Sequence, residues 1–180
     1  MTHTIRHTAY MALAAVFCLG FSAPALAAQQ AATSDTAFLK KIAAHQQSEI
    51  QLSEWAVERS ASEQIKQFAR RMIQDHSKAM QEVSKLLSAQ APGAPAVRPD
   101  GMKQHKNPLA SLSGSAFDRA YLTHQIADHK KAVSEFAAQS KTLKNPQVRQ
   151  WVFATLPVLK EHLSLAKGLA AKPANRAAVQ

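Results

Sequence analysis

The sequence predicts an all-α protein, a four-helix bundle built from two helical hairpins and one long crossover. Apolar residues recur every three or four positions through nearly all of the chain beyond its first 34 residues, which is the period of amphipathic helices and not of strands. Capping and breaking residues cut this pattern into four long segments. Two of the connections are short, and the third, 88–114, is long and rich in Pro, Gly and Ala.

The chain opens with a segment that stands apart from this pattern. Arg6 and two histidines precede an apolar run from Met11 to Phe21, and Ala25-Leu26-Ala27 follows as a small-residue cleavage site. Residues 1–27 therefore read as a signal peptide removed after Ala27. The apolar run is too short to span a bilayer as a helix. Cys18, the only cysteine, leaves with this leader, so the mature chain has no thiol and no disulfide.

Helix A is expected over 35–59, with Thr33, Ser34 or Asp35 as its N-cap. Ser60-Ala61-Ser62-Glu63 has capping-box spacing and should start helix B, 61–89. Ser115-Ala116-Phe117-Asp118 repeats that spacing at the start of helix C, 115–142. Asn145-Pro146 places a capping residue before a proline at the first helical position and opens helix D, 146–171. Within D, Pro157 removes a backbone donor and should bend the helix before Glu161-His162. The crossover 88–114, with a short helical turn expected at 106–112, joins the A–B hairpin to the C–D hairpin, as in ferritin-like bundles. Residues 172–180 read as a flexible tail.

One phrase occurs twice. IQDHSKAMQEV begins at Ile73 and IADHKKAVSEF at Ile126, 53 residues apart, with Asp-His at the same phase in each. The copies fall in the middle of B and the middle of C, which fits two hairpins related by pseudo-symmetry.

Charge excludes one class of function. The chain carries 22 Lys and Arg against 12 Asp and Glu, a formal net charge of +10. These charges scatter without a basic run or aromatic-spaced patch, and an exported chain rarely meets nucleic acid, so no nucleic-acid partner is expected. Peripheral attraction to anionic lipid or envelope polysaccharide is the milder inference. No transmembrane segment is expected in the mature chain. The expected location is the periplasm or the periphery of the outer membrane.

Helical phase places one ionisable residue at the centre of each buried stripe. On A the stripe is Phe38, Ile42, His45, Glu49, Leu52 and Ala56. On B it is Ile65, Ala69, Met72, His76, Ala79, Val83 and Leu86. On C it is Leu122, Gln125, His129, Ala132 and Phe136, and on D it is Val148, Trp151, Thr155, Val158, His162, Leu165 and Leu169. Counted from Asn145, His129 and His162 stand level, at 16 and 17 residues. Counted from Ala61, Glu49 and His76 stand 12 and 15 residues away, an offset of about 4.5 Å at 1.5 Å per residue.

Unpaired polar groups in a core are expensive, so this layer should satisfy itself or bind an ion. Glu49, His76, His129 and His162 are thus candidate ligands for one Zn, Mn, Fe or Cu ion. The alternative is a buried hydrogen-bond network in which Tyr121 and Gln125 donate to Glu49. Asp75 and Asp128, beside Lys78 and Lys131, read either as solvated helix charges or as groups steadying a histidine ring. His45, one turn before Glu49, reads as surface or as a further ligand or supporting group. His105 and His124 read as surface, and Trp55 and Trp151 as packing residues on adjacent helices. No Ser-His-Asp array or Gly-rich phosphate loop is available, so no catalytic residue is assigned.

The segments FLKKIAAHQQSEIQLSEWA, IKQFARRMIQDHSKAMQEV, FDRAYLTHQIADHKKAVSEF and TLPVLKEHLSLAK resemble the bacterial ferritin-like family named domain of unknown function 4142, often labelled outer-membrane proteins. The resemblance covers Phe38 to Gly168. It implies a four-helix fold and aligns the family's pattern with Glu49, His76, Tyr121, His129 and His162, but it implies no activity. Di-iron members of the ferritin-like class use Glu-x-x-His on two helices. Here Ile73, Ile126 and Leu159 stand three before the histidines, so a di-iron centre is not expected.

Overall fold

The structure is a computed structural model that describes residues 23–90 and 108–173, with side chains from 34 and, after the crossover, from 109. Most of the expected leader, most of the crossover with His105, and most of the tail lie outside the described residues. Four long helices, α1 (Ala23–Arg59), α2 (Glu63–Gln90), α3 (Gly114–Thr142) and α4 (Pro146–Ala170), follow one another, with a 3-10 turn at Pro108–Ser111 before α3. No described residue is in a strand. The architecture is the all-α four-helix bundle that the apolar period predicts. α1 packs mainly along α2 and α3 along α4, with further contact of α2 with α4 and of α1 with α3. Helices α1 and α4 thus face each other diagonally, and the helices of Trp55 and Trp151 are not the neighbours expected.

The helix starts differ from expectation in instructive ways. α1 begins at Ala23, through an alanine-rich stretch of high helix propensity, so Asp35 lies inside the helix. Asp35 is buried and caps a different element: its carboxylate accepts from the backbone N–H groups of Lys144 (3.0 Å) and Asn145 (2.6 Å) at the α3–α4 turn. At α2 the cap is Ser62, whose hydroxyl accepts from Ile65 N (3.4 Å), while Ser60 accepts from Ser62 N (3.0 Å) and shapes the turn. α3 starts at Gly114 after Ser113, with Gly114 at φ 57, a conformation that favours glycine. The Asn145 side chain accepts from Gln147 N (2.9 Å) and Val148 N (3.2 Å), with Pro146 at the first turn, as its sequence requires. α4 runs unbroken through Pro157, which lies on its exposed side.

The apolar core is in two parts. One contains Leu39, Ile42, Ala43, Met80, Val83, Ala132, Phe136, Val152 and Leu159. The other contains Leu52, Ala56, Phe68, Met72, Phe117, Tyr121, Leu122 and Ala166. On every helix the gap between the parts is filled by buried polar residues: Gln46 and Glu49, His76, Gln125 and His129, and His162. A polar layer therefore cuts across the bundle at mid-height. Met80 and Leu87 replace Ala79 and Leu86 on the buried stripe of α2. On α4 Val152, Leu159 and Ala166 join the buried Val148, Trp151, His162 and Leu169, while Leu165, expected inside, is 37% exposed.

Candidate metal centre

His76, His129 and His162 come from α2, α3 and α4, and all are at most 2% exposed. One ring nitrogen from each lies within 4.8 Å of one from each of the others. Ring centroids are separated by 5.7 Å (His76–His129), 5.4 Å (His76–His162) and 5.4 Å (His129–His162).

Every ring is held from behind by an oxygen that can only accept. His76 Nδ1 donates to Gln46 Oε1, His129 Nδ1 to the backbone carbonyl of Gln125 (3.0 Å), and His162 Nε2 to Asp75 Oδ2 (2.9 Å). Asp75 is steadied in turn by Arg71 Nε (3.3 Å), whose other end reaches Glu161 (2.8 Å). These bonds place the N–H of each neutral ring on the outward nitrogen. The remaining nitrogens, His76 Nε2, His129 Nε2 and His162 Nδ1, are buried and have no hydrogen-bond partner among the described residues. Three bare lone pairs therefore share one buried layer. A closed hydrogen-bond network would supply donors to these nitrogens, and no described residue does so.

Burial also keeps the rings uncharged. His76 is pushed well below the usual imidazole range by burial and then by His129 and His162. Burial, and then His162, lowers His129 to about 4. His162 is lowered by burial, with Asp75 opposing.

Glu49 is placed elsewhere. It groups with His45 and Asp128, one donor atom of each lying within 4.8 Å of the others. Its Oε2 accepts from Gln125 Nε2 (2.8 Å), and its Oε1 lies 3.9 Å from His45 Nε2 and 4.0 Å from His124 Nε2. Burial raises the Glu49 carboxyl to about 7, against the pull of His45. Asp128 accepts from His45, and despite burial this contact holds its carboxyl well below the usual range. His45 is raised, because the Asp128 hydrogen bond and the nearby carboxylates outweigh its burial. Tyr121 is buried against Phe117, and its hydroxyl pairs with Ser53 (3.1 Å).

Helix height explains the separation. Gln46 and His76 both stand 15 residues from Ala61, so Gln46 is the α1 residue level with the histidines. The two repeated aspartates act alike: Asp75 on α2 holds His162 on α4, and Asp128 on α3 holds His45 on α1. A cavity of about 180 Å³ between α2 and α4 reaches His76, His162, Asp75 and Gln46 from solvent.

These protonation states predict acid sensitivity of the metal-free protein. Between the ordinary imidazole value of 6.5 and about 4.5, the unfolded chain takes up protons that His76, His129 and His162 refuse in the fold. Glu49 opposes them, because the folded state already holds its proton. His76 and His129 outweigh Glu49, and His162 acts in their direction, so the unfolded state takes up net protons and stability falls as pH falls through this window. Urea unfolding at pH 7.5 and pH 5 measures it; equal or greater stability at pH 5 contradicts it.

The chain matches the family described as "Domain of unknown function (DUF4142)" over residues 21–169. It belongs to that family. No curated protein matches it. Among solved structures, it is similar to CopM in the Ag-bound form (TM-score 0.63, 19% identity, covering 76% of this chain and 94% of that one). It is also similar to CopM in the Cu(I)-bound form (TM-score 0.64, 18% identity, 76% and 94%) and in the Cu(II)-bound form (0.62, 19%, 74% and 93%). At these identities the likeness shows a shared fold. No described helix of this DUF4142 chain is long and apolar enough to cross a membrane.

Proposed function

We propose that this protein binds one copper ion in the core of its bundle, through His76, His129 and His162, in the cell envelope to which its leader directs it. The observation that carries the reading is the set of three buried, neutral imidazoles whose remaining nitrogens lack any donor. Bound metal-ligating histidines characteristically give their other N–H to a carboxylate or backbone carbonyl, as His162 and His129 do. Imidazole donors suit copper and zinc better than magnesium or calcium. The CopM structures that share this fold include copper- and silver-bound forms, which supports copper. Glu49 belongs to a neighbouring group and leaves the ion with nitrogen donors from three helices.

Bound copper would supply a cation for the three lone pairs and tie α2, α3 and α4 together. The cavity beside His76 and His162 supports entry from the α2–α4 side. Metal analysis tests the reading. Tag-free protein incubated with copper and desalted should retain one equivalent, and His76→Ala should retain none. Protein that stays empty, or a His76→Ala variant that keeps its copper, contradicts it.

A further inference from the structure

We infer that His45, Glu49 and Asp128 form a second cation site, for a first-row divalent ion with mixed nitrogen and oxygen donors. Glu49 is 1% exposed, and a carboxylate oxygen of the partly buried Asp128 lies within 4.8 Å of one of its own. Two carboxyls brought together in a core need a proton or a cation between them. His45 Nε2 contacts Asp128 and stands 3.9 Å from Glu49 Oε1. His124 Nε2, 4.0 Å from the same oxygen, adds a donor from the solvent side. Donors around a tetrahedral ion at about 2.1 Å lie roughly 3.4 Å apart, so the two spacings to Glu49 need a small contraction and the His45–Asp128 contact a small opening.

A second observation points independently to a ligand. Gln125 is fully buried, its Nε2 donates to Glu49 Oε2, and its Oε1 has no hydrogen-bond partner among the described residues. That unpaired oxygen belongs to the same buried amide that holds the Glu49 carboxyl. Two imidazoles and two carboxylates make a harder donor set than three imidazoles, suited to Zn(II) or Mn(II) and not to Cu(I). A small cavity of about 50 Å³ between α1 and α3, lined by His45 and Asp128, gives access, with Lys41 and Lys131 at its edge. Lys41 is paired with Glu135. Gln125 joins the two sites, since its carbonyl holds His129 while its side chain holds Glu49.

Zinc stoichiometry, read by competition with a chromophoric chelator on tag-free protein, tests the site. Wild type should take two zinc ions, and Glu49→Gln and Asp128→Asn should each take one, with at least a ~10-fold loss of affinity for the other. Asp128 is half-buried and its asparagine can still accept from His45, so this variant guards against a folding failure in Glu49→Gln. His76→Ala should keep the zinc at Glu49 and Asp128. If both carboxyl variants bind as much zinc as wild type with equal affinity, or if wild type takes a single ion that His76→Ala loses, the second site is overturned. A single ion lost in the carboxyl variants but kept in His76→Ala supports the second site and overturns the three-histidine centre instead.

Discussion

Copper should raise the thermal midpoint of the metal-free protein by about 8–16 °C. A ligand that binds only the folded state at a free concentration 1,000 times its dissociation constant stabilises by about 4.1 kcal/mol. A domain of this size gains roughly 2–4 °C per kcal/mol. The effect should be large because the donors sit on α2, α3 and α4, between the two apolar halves of the core. Separating any of these helices breaks the coordination. The measurement is differential scanning calorimetry without copper and with free copper at about 1,000 times its dissociation constant. A midpoint that moves less than in a His76→Ala control contradicts the assignment.

The second expected result concerns the metal-free protein. His129→Leu should stabilise it by about 1–3 kcal/mol while abolishing copper binding. A buried acceptor without a donor costs roughly that much, and an apolar side chain of similar volume removes the cost. His129 is the cleanest of the three positions to change. Among the described residues its side chain's one hydrogen-bond partner is the carbonyl of Gln125, which sits within the helix and can accept from the backbone of residue 129. Replacing His76 would strand Gln46, and replacing His162 would release Asp75. Urea unfolding of metal-free wild type and His129→Leu decides the matter. A variant less stable than wild type would mean that the layer is already satisfied and that the histidines serve packing.

Much of this arrangement is legible in the sequence because two periodicities agree. The apolar period marks four helices, and the same phase sets His76, His129 and His162 on their inner faces. Counting from Asn145 puts His129 and His162 at one height, and their rings stand 5.4 Å apart. Counting from Ala61 shows Glu49 about a turn out of level with His76, and the structure seats Glu49 with His45 and Asp128. The same count selects Gln46, but a glutamine carries no charge, so the pattern of ionisable residues passes over it. The period Leu39, Ile42, Gln46, Glu49, Ser53, Ala56 would have marked it, since all six are buried.

The partners of Asp75 and Asp128 are harder to read. Both lie on helix flanks beside lysines, where solvated charge and an inter-helix contact look alike in one dimension. Which histidine each one reaches depends on helix adjacency, and adjacency follows from packing across the crossover. The cap at Asp35 is hidden for the same reason. Its sequence context suggests the start of a helix, while its carboxylate closes a turn more than a hundred residues away.

The central claim is tested most directly by X-ray absorption at the copper edge of the loaded, tag-free protein. Three imidazole nitrogens should appear at about 2.0 Å with the outer-shell scattering of imidazole rings, and this signature should vanish in His129→Leu. A first shell of sulfur, or of oxygen without imidazole scattering, would place the copper elsewhere and contradict the three-histidine centre.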